Sequence, residues 1–430
     1  MKNIFSHIIA GLMAIVMMVT FTGCGETTVE VAPEKIKDKV SLSVWGASED
    51  QDVIKELCEN FKAKYPDAKI EISVNIESES TVKDTIRNDV TSAADVYCYA
   101  SDQIYELYDM DALACIDEHD DALVRLAGKS VEDVKNANTE SSVAAAQIDG
   151  KLYGFPRAGD NGFFLYYDVN AIDEKDTHDF DTLLAVAEKT GKKVGMTFNS
   201  GWYISSFFYA AGFDTKRQAD GTTEIKWNGT SETGFTGVDV VQSMLKIAES
   251  PAFEAIPDGR ISDEIASGEY LAVISGTWDA NVVEETWGAN YGATKLPTFT
   301  CAGEQLQMGD SAGFKFLGVN PEAENVQWAI ALAEFMSNED AQKLYFEKRK
   351  SGPTNINAAN SSAVKNDKAI SAIVEQNGAA GYVLLVGEDF WKPICEMGEQ
   401  ISKLSVGTDD RLAIQAFIDG FMKRVKEGGK

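Results

Sequence analysis

Aromatic side chains stand beside acidic or amide side chains at the ends of several predicted helices and strands. The aromatic members of this pattern are Trp45, Tyr99, Trp202, Tyr203, Trp278 and Trp391, and their neighbours include Glu49, Asp50, Asp102, Asn199, Asp279, Glu388 and Asp389. The C–H faces of a pyranose ring stack on an aromatic surface, and carboxylates accept hydrogen bonds from its hydroxyl groups. The recurrence of this combination predicts a carbohydrate-binding site that breaks no bond.

The sequence motifs of several enzyme classes are absent. Neither His119 nor His178 lies near a Gly-x-Ser-x-Gly motif, so the sequence does not indicate a Ser/His/Asp hydrolase. The sequence also has no Gly-rich phosphate-binding loop ending in Lys-Ser or Lys-Thr, and no His-Glu-x-x-His zinc motif. We therefore expect no catalytic residue, metal or cofactor. A secreted glycoside hydrolase stays an open alternative, because it needs only two carboxylates at a cleft and acids are abundant.

Trp278 follows a segment that has the composition of a buried strand. The apolar run from Tyr270 to Ile274 is bounded by Gly268 and Gly276, which favours a short strand over a helix. Open α/β sheets bind ligands at the carboxyl ends of their strands. Trp278 is therefore a candidate ligand platform, although a core tryptophan explains this position about as well.

Strand-like and helix-like segments alternate along the chain, which predicts an α/β fold with doubly wound sheets. The predicted strands lie at 40–45, 70–74, 95–99, 270–274 and 291–297, with extended segments at 153–156 and 162–167. The predicted helices lie near 53–65, 180–190, 201–211, 321–336, 364–376, 390–404 and 411–426. Acids in the first turn favour the helix over 321–336, and Trp328 on its apolar stripe is predicted to pack in the core.

Size and charge limit the possible partners of the protein. A chain of 430 residues with 44% apolar residues can form two or three domains with substantial cores. Its formal net charge of −29 argues against binding to nucleic acid or to an anionic membrane surface, because both require a basic face.

The N-terminal segment has the features of a bacterial lipoprotein signal. Lys2 precedes an apolar run over 8–21, which is too short to span a bilayer but suits the apolar region of a secretory signal. The sequence Phe21-Thr-Gly-Cys24 resembles a lipobox, with Phe21 in place of the usual Leu. We expect a signal peptide over 1–23, lipidation at Cys24 and a flexible tether over 24–39. An ordinary signal peptide that leaves Cys24 unmodified is the alternative.

The remaining cysteines do not form a recognisable metal or disulfide motif. Cys58, Cys98, Cys115, Cys301 and Cys395 have no Cys-x-x-Cys or Cys/His ligand spacing. Free thiols and a single disulfide both remain possible from sequence.

At this point the residues resemble a known family, the extracellular solute-binding proteins of ABC importers, of the family-1 type. The resemblance covers the chain from Val40 to Val425. Its most specific segments are Asp95–Asp102, Tyr153–Tyr166, Gly268–Trp278, Asn290–Phe299 and Phe390-Trp391.

The resemblance implies two α/β lobes, joined by a hinge of crossing segments, that close on a sugar. It places lobe 1 over 40–157 with about 307–360, and lobe 2 over 158–306 with about 361–430. It also implies that the ligand is maltose or a longer malto-oligosaccharide, or another neutral oligosaccharide. The protein would be a monomeric receptor on the outer face of the cytoplasmic membrane, which delivers this sugar to an ABC permease. A sensory or adhesion lipoprotein with the same fold is a further alternative.

The same resemblance assigns roles to individual side chains. Tyr99, Trp278 and Trp391 match family positions at which aromatic rings stack on the sugar, and Trp202 or Tyr203 matches an aromatic subsite. Asp102 and Asp160 match acids that bind sugar hydroxyl groups. Trp45 and the segment from Ser48 to Asp50 lie near a binding Asp-Lys pair of the family, whose Lys is absent here. Arg157 would favour an acidic sugar if it faced the cleft, and would say nothing about the ligand if it formed an ion pair at the hinge.

Overall fold

The computed structural model describes residues 39–429, and its strands are mostly short. The strands are β1 (Lys39–Gly46), β2 (Lys69–Ile76), β3 (Val96–Ala100), β4 (Gln147–Ile148), β5 (Lys151–Leu152), β6 (Phe155–Ala158), β7 (Phe164–Tyr167), β8 (Lys193–Met196), β9 (Thr215–Arg217), β10 (Thr223–Ile225), β11 (Phe253–Ala255), β12 (Tyr270–Ser275), β13 (Gly292–Thr294), β14 (Thr298–Cys301), β15 (Glu304–Gln307), β16 (Asp310–Ser311), β17 (Lys315–Val319) and β18 (Gly381–Tyr382).

Helices separate most of these strands. The helices are α1 (Gln51–Lys64), α2 (Val82–Asn88), α3 (Ile104–Asp109), α4 (Asp120–Ala122), α5 (Val131–Ala137), α6 (Glu140–Ala145), α7 (Phe180–Thr190), α8 (Gly201–Ala210), α9 (Gly237–Glu249), α10 (Ile261–Ala266), α11 (Ala280–Trp287), α12 (Val326–Ser337), α13 (Glu339–Arg349), α14 (Ile356–Ala359), α15 (Ser362–Lys365), α16 (Lys368–Ala380), α17 (Glu388–Ser402) and α18 (Arg411–Lys426).

The first large sheet has five strands in the order β2-β1-β3-β17-β6. Strand β1 pairs in parallel with β2 and β3, as the alternation of strands and helices predicts. Strand β17 returns from much later in the chain and pairs antiparallel with both β3 and β6. The sheet is therefore mixed rather than wholly parallel, and its last strands come from the segments that cross between the lobes.

The second large sheet also has five strands, in the order β11-β8-β12-β7-β13. Strand β12, predicted from its apolar run, is completely buried at the centre of this sheet. It pairs in parallel with β8 and antiparallel with β7. A central strand covered on both faces needs apolar side chains at every position, which explains its continuous apolar sequence.

Two separate apolar cores define the two lobes. The first core uses side chains between Val40 and Phe155 and between Phe316 and Tyr345. The second core uses side chains between Phe163 and Met308 and between Ala369 and Val425. Each lobe thus takes two stretches of the chain, and the exact residues at which the chain passes between lobes stay a prediction.

The helix predicted over 321–336 begins later than expected. It starts at Val326 with Asn325 as its N-cap, so Glu322 and Glu324 lie before the helix and its first turn contains no acid. The apolar stripe is placed as predicted, because the buried ring of Trp328 packs edge-to-face on Tyr65 with the ring centres 5.0 Å apart.

The predictions for the N-terminal signal, Cys24 and the tether concern residues outside the described range, except that Lys39, the last residue of the predicted tether, begins β1. Within residues 39–429, no helix combines the length and the apolar character needed to cross a bilayer. In the same range, no cluster of three or more His, Cys, Asp or Glu side chains is arranged to hold a metal ion. The five cysteines at 58, 98, 115, 301 and 395 are free thiols.

Candidate ligand-binding cavity

A cavity of about 1030 Å³ is lined by side chains from both lobes. The first lobe contributes Ser48, Glu49, Glu79, Lys83, Asp102, Gln103, Lys315 and Arg349, among others. The second lobe contributes Trp202, Tyr203, Asp258, Trp278, Asp279, Glu285, Glu388 and Trp391, among others. The cavity therefore combines an aromatic wall from the second lobe with a polar wall from the first.

Trp278 reaches this cavity from the end of β12. The strand ends at Ser275, and Trp278 lies in the short helical turn that follows Gly276. A Cβ atom on Gly276 would lie only 2.2 Å from the indole ring, so this close approach requires glycine. The half-buried ring of Trp278 is thus held over the strand end, where the sequence predicted a ligand platform.

Trp202 and Tyr203 extend the aromatic wall from the first turn of α8. The ring centres of Trp202 and Trp278 are 5.9 Å apart, and those of Trp202 and Tyr203 are 5.0 Å apart. Phe163 supports both side chains of α8 from behind, with centre distances of 4.8 and 4.7 Å. The three rings form one cluster, in which Trp202 and Trp278 are half-buried and Tyr203 is buried.

Trp391 lies in the first turn of α17 and supplies a further aromatic surface. Its ring packs edge-to-face on the buried Phe390, with the centres 5.4 Å apart. The Nζ atom of Lys83, from the first lobe, lies 5.2 Å from the centre of the Trp391 ring. The indole Nε1 atom has no hydrogen-bond partner among the described residues.

Of the four acids predicted as ligand-binding residues, Asp102 and Glu49 line the cavity. Asp102 lies in the helical turn after β3 and is half-buried, and no side chain of residues 39–429 donates a hydrogen bond to its carboxylate. Burial raises the pKa of the Asp102 carboxyl, and the ammonium group of Lys83 opposes this rise. Glu49 is exposed at the start of α1.

Tyr99 does not line the cavity, and its predicted stacking role is wrong. Strand β3 is buried at every position, between β1 and β17, so the Tyr99 side chain must pack in the first core. Its ring lies against Phe316, and its hydroxyl donates to the Tyr153 carbonyl at 3.3 Å. Trp45 likewise packs against the first core instead of lining the cavity.

Asp160 and Asp50 also lie outside the cavity lining, in buried polar networks. The Asp160 carboxylate accepts hydrogen bonds from the Thr277 hydroxyl and the Gly352 amide, which come from different lobes. Asp160 is thus a contact of the crossing segments, not a group open to a ligand. Asp50 is an ion-pair partner and is not free to bind a hydroxyl group.

Arg157 forms a buried ion pair, which is one of the two alternatives that the sequence left open. Its guanidinium lies 3.3 Å from the Asp50 carboxylate and 4.4 Å from the centre of the Tyr345 ring. Only 3% of its surface is exposed, and it does not line the cavity. Arg157 therefore does not indicate an acidic ligand.

Three basic side chains line the cavity, and the sequence did not predict any of them. Lys83 contacts Glu106 and Glu388, each at 2.9 Å, and Arg349 lies 3.2 Å from Asp50. Lys315 pairs with Glu79, and its Nζ atom lies 5.4 Å from the centre of the Trp278 ring. Their partners are distant in sequence, so local spacing gave no signal for these contacts.

Comparison with known proteins connects the chain to a family. The family described as bacterial extracellular solute-binding protein matches residues 56–372. The galactooligosaccharide-binding protein of Bacillus subtilis is 28% identical over 255 residues, which are 57% of this chain and 59% of that protein. A maltooligosaccharide ABC transporter solute-binding lipoprotein of Streptococcus pneumoniae R6 is 25% identical over 263 residues, 55% of this chain and 57% of that protein. The chain thus spans little more than half the length of the curated relatives it matches.

Solved structures match over almost the whole chain. One described as "with acarbose" is 27% identical with a TM-score of 0.77, and the match covers 91% of this chain and 99% of that one. The maltotriose-binding protein of Thermus thermophilus is 14% identical with a TM-score of 0.74, over 90% of this chain and 99% of that one. The latter likeness concerns the fold alone. Together these matches confirm the two-lobe α/β fold.

Proposed function

Because the chain belongs to the bacterial extracellular solute-binding protein family, we propose that it is the lipid-anchored receptor of an ABC sugar importer. In this proposal it captures a neutral oligosaccharide, with malto-oligosaccharides as the first choice, and delivers the sugar to the permease. The lobes, as predicted from sequence, close around the sugar, and the protein carries out no reaction on it.

The observation that carries this proposal is the aromatic wall of the cavity. Trp202 and Trp278 are half-buried neighbouring rings supported by the buried Tyr203, and Trp391 adds a further ring at the same cavity. Such a surface suits the apolar faces of successive pyranose rings. The opposite wall supplies acceptors such as Asp102 for the hydroxyl groups at the sugar edges.

The size of the cavity supports an oligosaccharide ligand. Its volume of about 1030 Å³ lies at the upper end of the range of small-molecule sites. A single sugar ring would leave much of the aromatic surface uncovered. Several linked rings would cover it and would bury more apolar area, which favours binding.

Contributions from both lobes provide a physical basis for capture by closure. A sugar that touches both walls binds the closed form better than the open form, and only such a difference in affinity can shift the equilibrium. Ion pairs join the lobes at the cavity edge, between Glu388 and both Lys83 and Arg87, and such contacts need the lobes to be close together.

The printed names of the relatives support the ligand class. The matched protein of Bacillus subtilis is named for galactooligosaccharides, and that of Streptococcus pneumoniae for maltooligosaccharides. Calorimetric titration with malto-, galacto-, cello-, xylo- and fructo-oligosaccharides tests the proposal. We expect a malto-oligosaccharide to bind most tightly. Binding of a different class alone would refute the choice of sugar, and binding of none would refute the receptor proposal.

A secreted glycoside hydrolase and a sensory or adhesion lipoprotein are the rival functions. Long incubation with the bound sugar, followed by chromatography, separates the hydrolase from the receptor, because a receptor returns the sugar unchanged. Uptake of labelled sugar by cells that lack this protein separates the importer receptor from a sensor, since only the importer receptor is needed for uptake.

Lipidation at Cys24 is a separate part of the proposal, and the lipobox-like sequence Phe21-Thr-Gly-Cys24 supports it. Mass spectrometry of the mature protein should find a diacylglyceryl group on Cys24, and Cys24→Ala should release the protein from the membrane. An unmodified Cys24 on a released protein would instead indicate an ordinary signal peptide.

A further inference from the structure

The hydrogen bond from the Thr277 hydroxyl group to the Asp160 carboxylate joins the two lobes. Asp160 lies two residues after β6, a strand of the first sheet, and Thr277 lies two residues after β12, a strand of the second sheet. Their side chains are 3% and 4% exposed, and neither lines the cavity. A change at this bond can therefore affect a bound sugar only through the residues that the bond holds in place.

Asp160 is fixed to the first lobe by its neighbours in the chain and in space. Strand β6 ends at Ala158, and the Gly159 amide donates to the Gly352 carbonyl at 2.8 Å. The Gly352 amide donates in return to the Asp160 carboxylate. A Cβ atom on Gly352 would lie only 2.8 Å from that of Asp160, so the two segments are in close contact. The first lobe thus presents the Asp160 carboxylate to the second lobe in a fixed direction.

The turn that carries Trp278 is also anchored to its own lobe. The Asp279 carboxylate, which follows Trp278, accepts hydrogen bonds from the hydroxyl groups of Ser262 and Ser275. Ser262 belongs to α10 and Ser275 ends β12, so both donors come from the second lobe. This anchor lies on the C-terminal side of Trp278, whereas Thr277 lies on its N-terminal side.

Groups of the first lobe contact this turn at two further points. The Trp278 carbonyl accepts a hydrogen bond from the Arg349 guanidinium at 3.5 Å, and Arg349 is itself paired with Asp50. The Nζ atom of Lys315 lies 5.4 Å from the centre of the Trp278 ring. The first lobe therefore contacts the residue before Trp278, its backbone and its ring.

We propose that the Thr277–Asp160 hydrogen bond is a positioning contact, which fixes the Trp278 ring for sugar stacking when the lobes are close together. This inference rests on the proposed sugar-binding function and adds a coupling between the crossing segments and the aromatic wall. A hydrogen bond to a carboxylate is strong and directional, and a ring that is already fixed loses less freedom when a sugar binds. Separation of the lobes breaks the bond, so the sugar prefers the arrangement in which the lobes are close.

Substitutions at Thr277 test the bond without changing the cavity lining. Thr277→Val removes the hydroxyl group with little change in shape and leaves the buried carboxylate without this donor, so sugar affinity should fall about tenfold. Thr277→Ser restores a hydroxyl group and should bind within about twofold of the native protein. Calorimetry with maltotriose measures both, or with the panel sugar that binds most tightly if maltotriose does not bind.

Thr197→Val is the matched control for the loss of a buried hydroxyl group. Thr197 follows β8 in the second lobe and is fully buried, and its Oγ1 atom has no hydrogen-bond partner among the described residues. We expect its sugar affinity to equal that of the native protein. Thermal unfolding checks that each variant is folded. Thr277→Ala, which removes the same hydroxyl group without placing a methyl group against the carboxylate, replaces Thr277→Val if the latter does not fold.

A double-mutant cycle distinguishes the positioning of Trp278 from a merely structural role. If Thr277 acts through the ring, Thr277→Val should change sugar affinity by less than about twofold once Trp278 is replaced by alanine, because the two effects are not additive. A general effect on the fold or on lobe closure would instead weaken binding about tenfold in both backgrounds.

Three results would overturn the positioning proposal and leave the receptor proposal standing. These are native affinity in Thr277→Val, a loss in Thr277→Ser as large as that in Thr277→Val, and a loss that persists in full in the Trp278→Ala background. If the native protein binds no sugar of the panel, the receptor proposal fails and the positioning proposal fails with it.

Discussion

The ammonium group of Lys83 on α2 donates to the Glu388 carboxylate on α17 at 2.9 Å, and this contact joins the two lobes at the cavity edge. Arg87 reaches the same carboxylate at 3.1 Å. Lys83 also lies over the Trp391 ring. A contact between the lobes is thus directly connected to a proposed sugar platform.

Glu388→Gln should weaken sugar binding without removing a group that the sugar stacks on. The substitution removes a partly buried ion pair that exists only when the lobes are close, so we expect a loss of about 1 kcal/mol, or about fivefold in affinity. Calorimetry at low and high salt measures this loss, which should shrink at high salt. Glu399→Gln is the matched control, because Glu399 pairs with Lys403, the residue that caps the C-terminal end of α17. Equal affinities for the two variants would contradict a role in closure.

Trp278→Ala should weaken sugar binding by roughly 1–3 kcal/mol, because it removes an aromatic platform. The half-buried side chain lies at the cavity, so the variant should still fold. Trp328→Ala is the comparison: its ring is 4% exposed in the first core, and we expect it to lower the free energy of unfolding by about 3–5 kcal/mol. Unchanged sugar affinity in Trp278→Ala would assign this ring to packing alone.

Arg157→Ala should destabilise the fold and leave the choice of sugar unchanged. Removal of this buried guanidinium takes away one of the two cationic partners of Asp50 and leaves Arg349 as the other, so we expect a cost of about 3 kcal/mol in unfolding free energy, at the low end for a broken buried ion pair. Denaturant unfolding measures the cost, and titration with neutral and uronate sugars measures the preference. A changed preference would place Arg157 in contact with the ligand.

Asp310 should make stability depend on pH. Its carboxyl is fully buried, and burial raises its pKa from 3.8 to about 7. The folded state therefore holds a proton that the unfolded state loses, so the stability contribution falls as pH rises from about 4 to about 7 and is constant above that. The Asp310→Asn side chain stays neutral at every pH. The unfolding free energy of the variant minus that of the native protein should therefore be a few kcal/mol larger at pH 8 than at pH 4.5. Urea unfolding of both proteins at the two pH values checks this, and an equal difference at both would contradict it.

From sequence, Trp278, Trp391 and Tyr99 were all predicted to stack on a ligand, but only the two tryptophans line the cavity. The sequence could not distinguish them from Tyr99. All three follow or precede acids at element ends. Tyr99 lies on β3, which becomes a central strand only because β17 returns from much later in the chain and covers it. That pairing leaves no local trace in the sequence around Tyr99.

The basic side chains of the cavity were missed for a related reason. Lys83, Lys315 and Arg349 pair with carboxylates that are distant in sequence and that the fold brings close. The residues next to a lysine in the sequence do not show whether it pairs across the lobes or lies on the surface. Sequence patterns predicted seven of the ten strands in the two large sheets and missed β8, β11 and β17. They could not predict the antiparallel return of β17, or which lobe each polar side chain faces.

The most direct test of the central claim is a crystal structure with the oligosaccharide that binds most tightly in the titrations. The account predicts sugar rings stacked on Trp278 and Trp391, with a hydroxyl group donating to the Asp102 carboxylate. A sugar bound outside this cavity, or one inside it that avoids both tryptophans, would contradict the account.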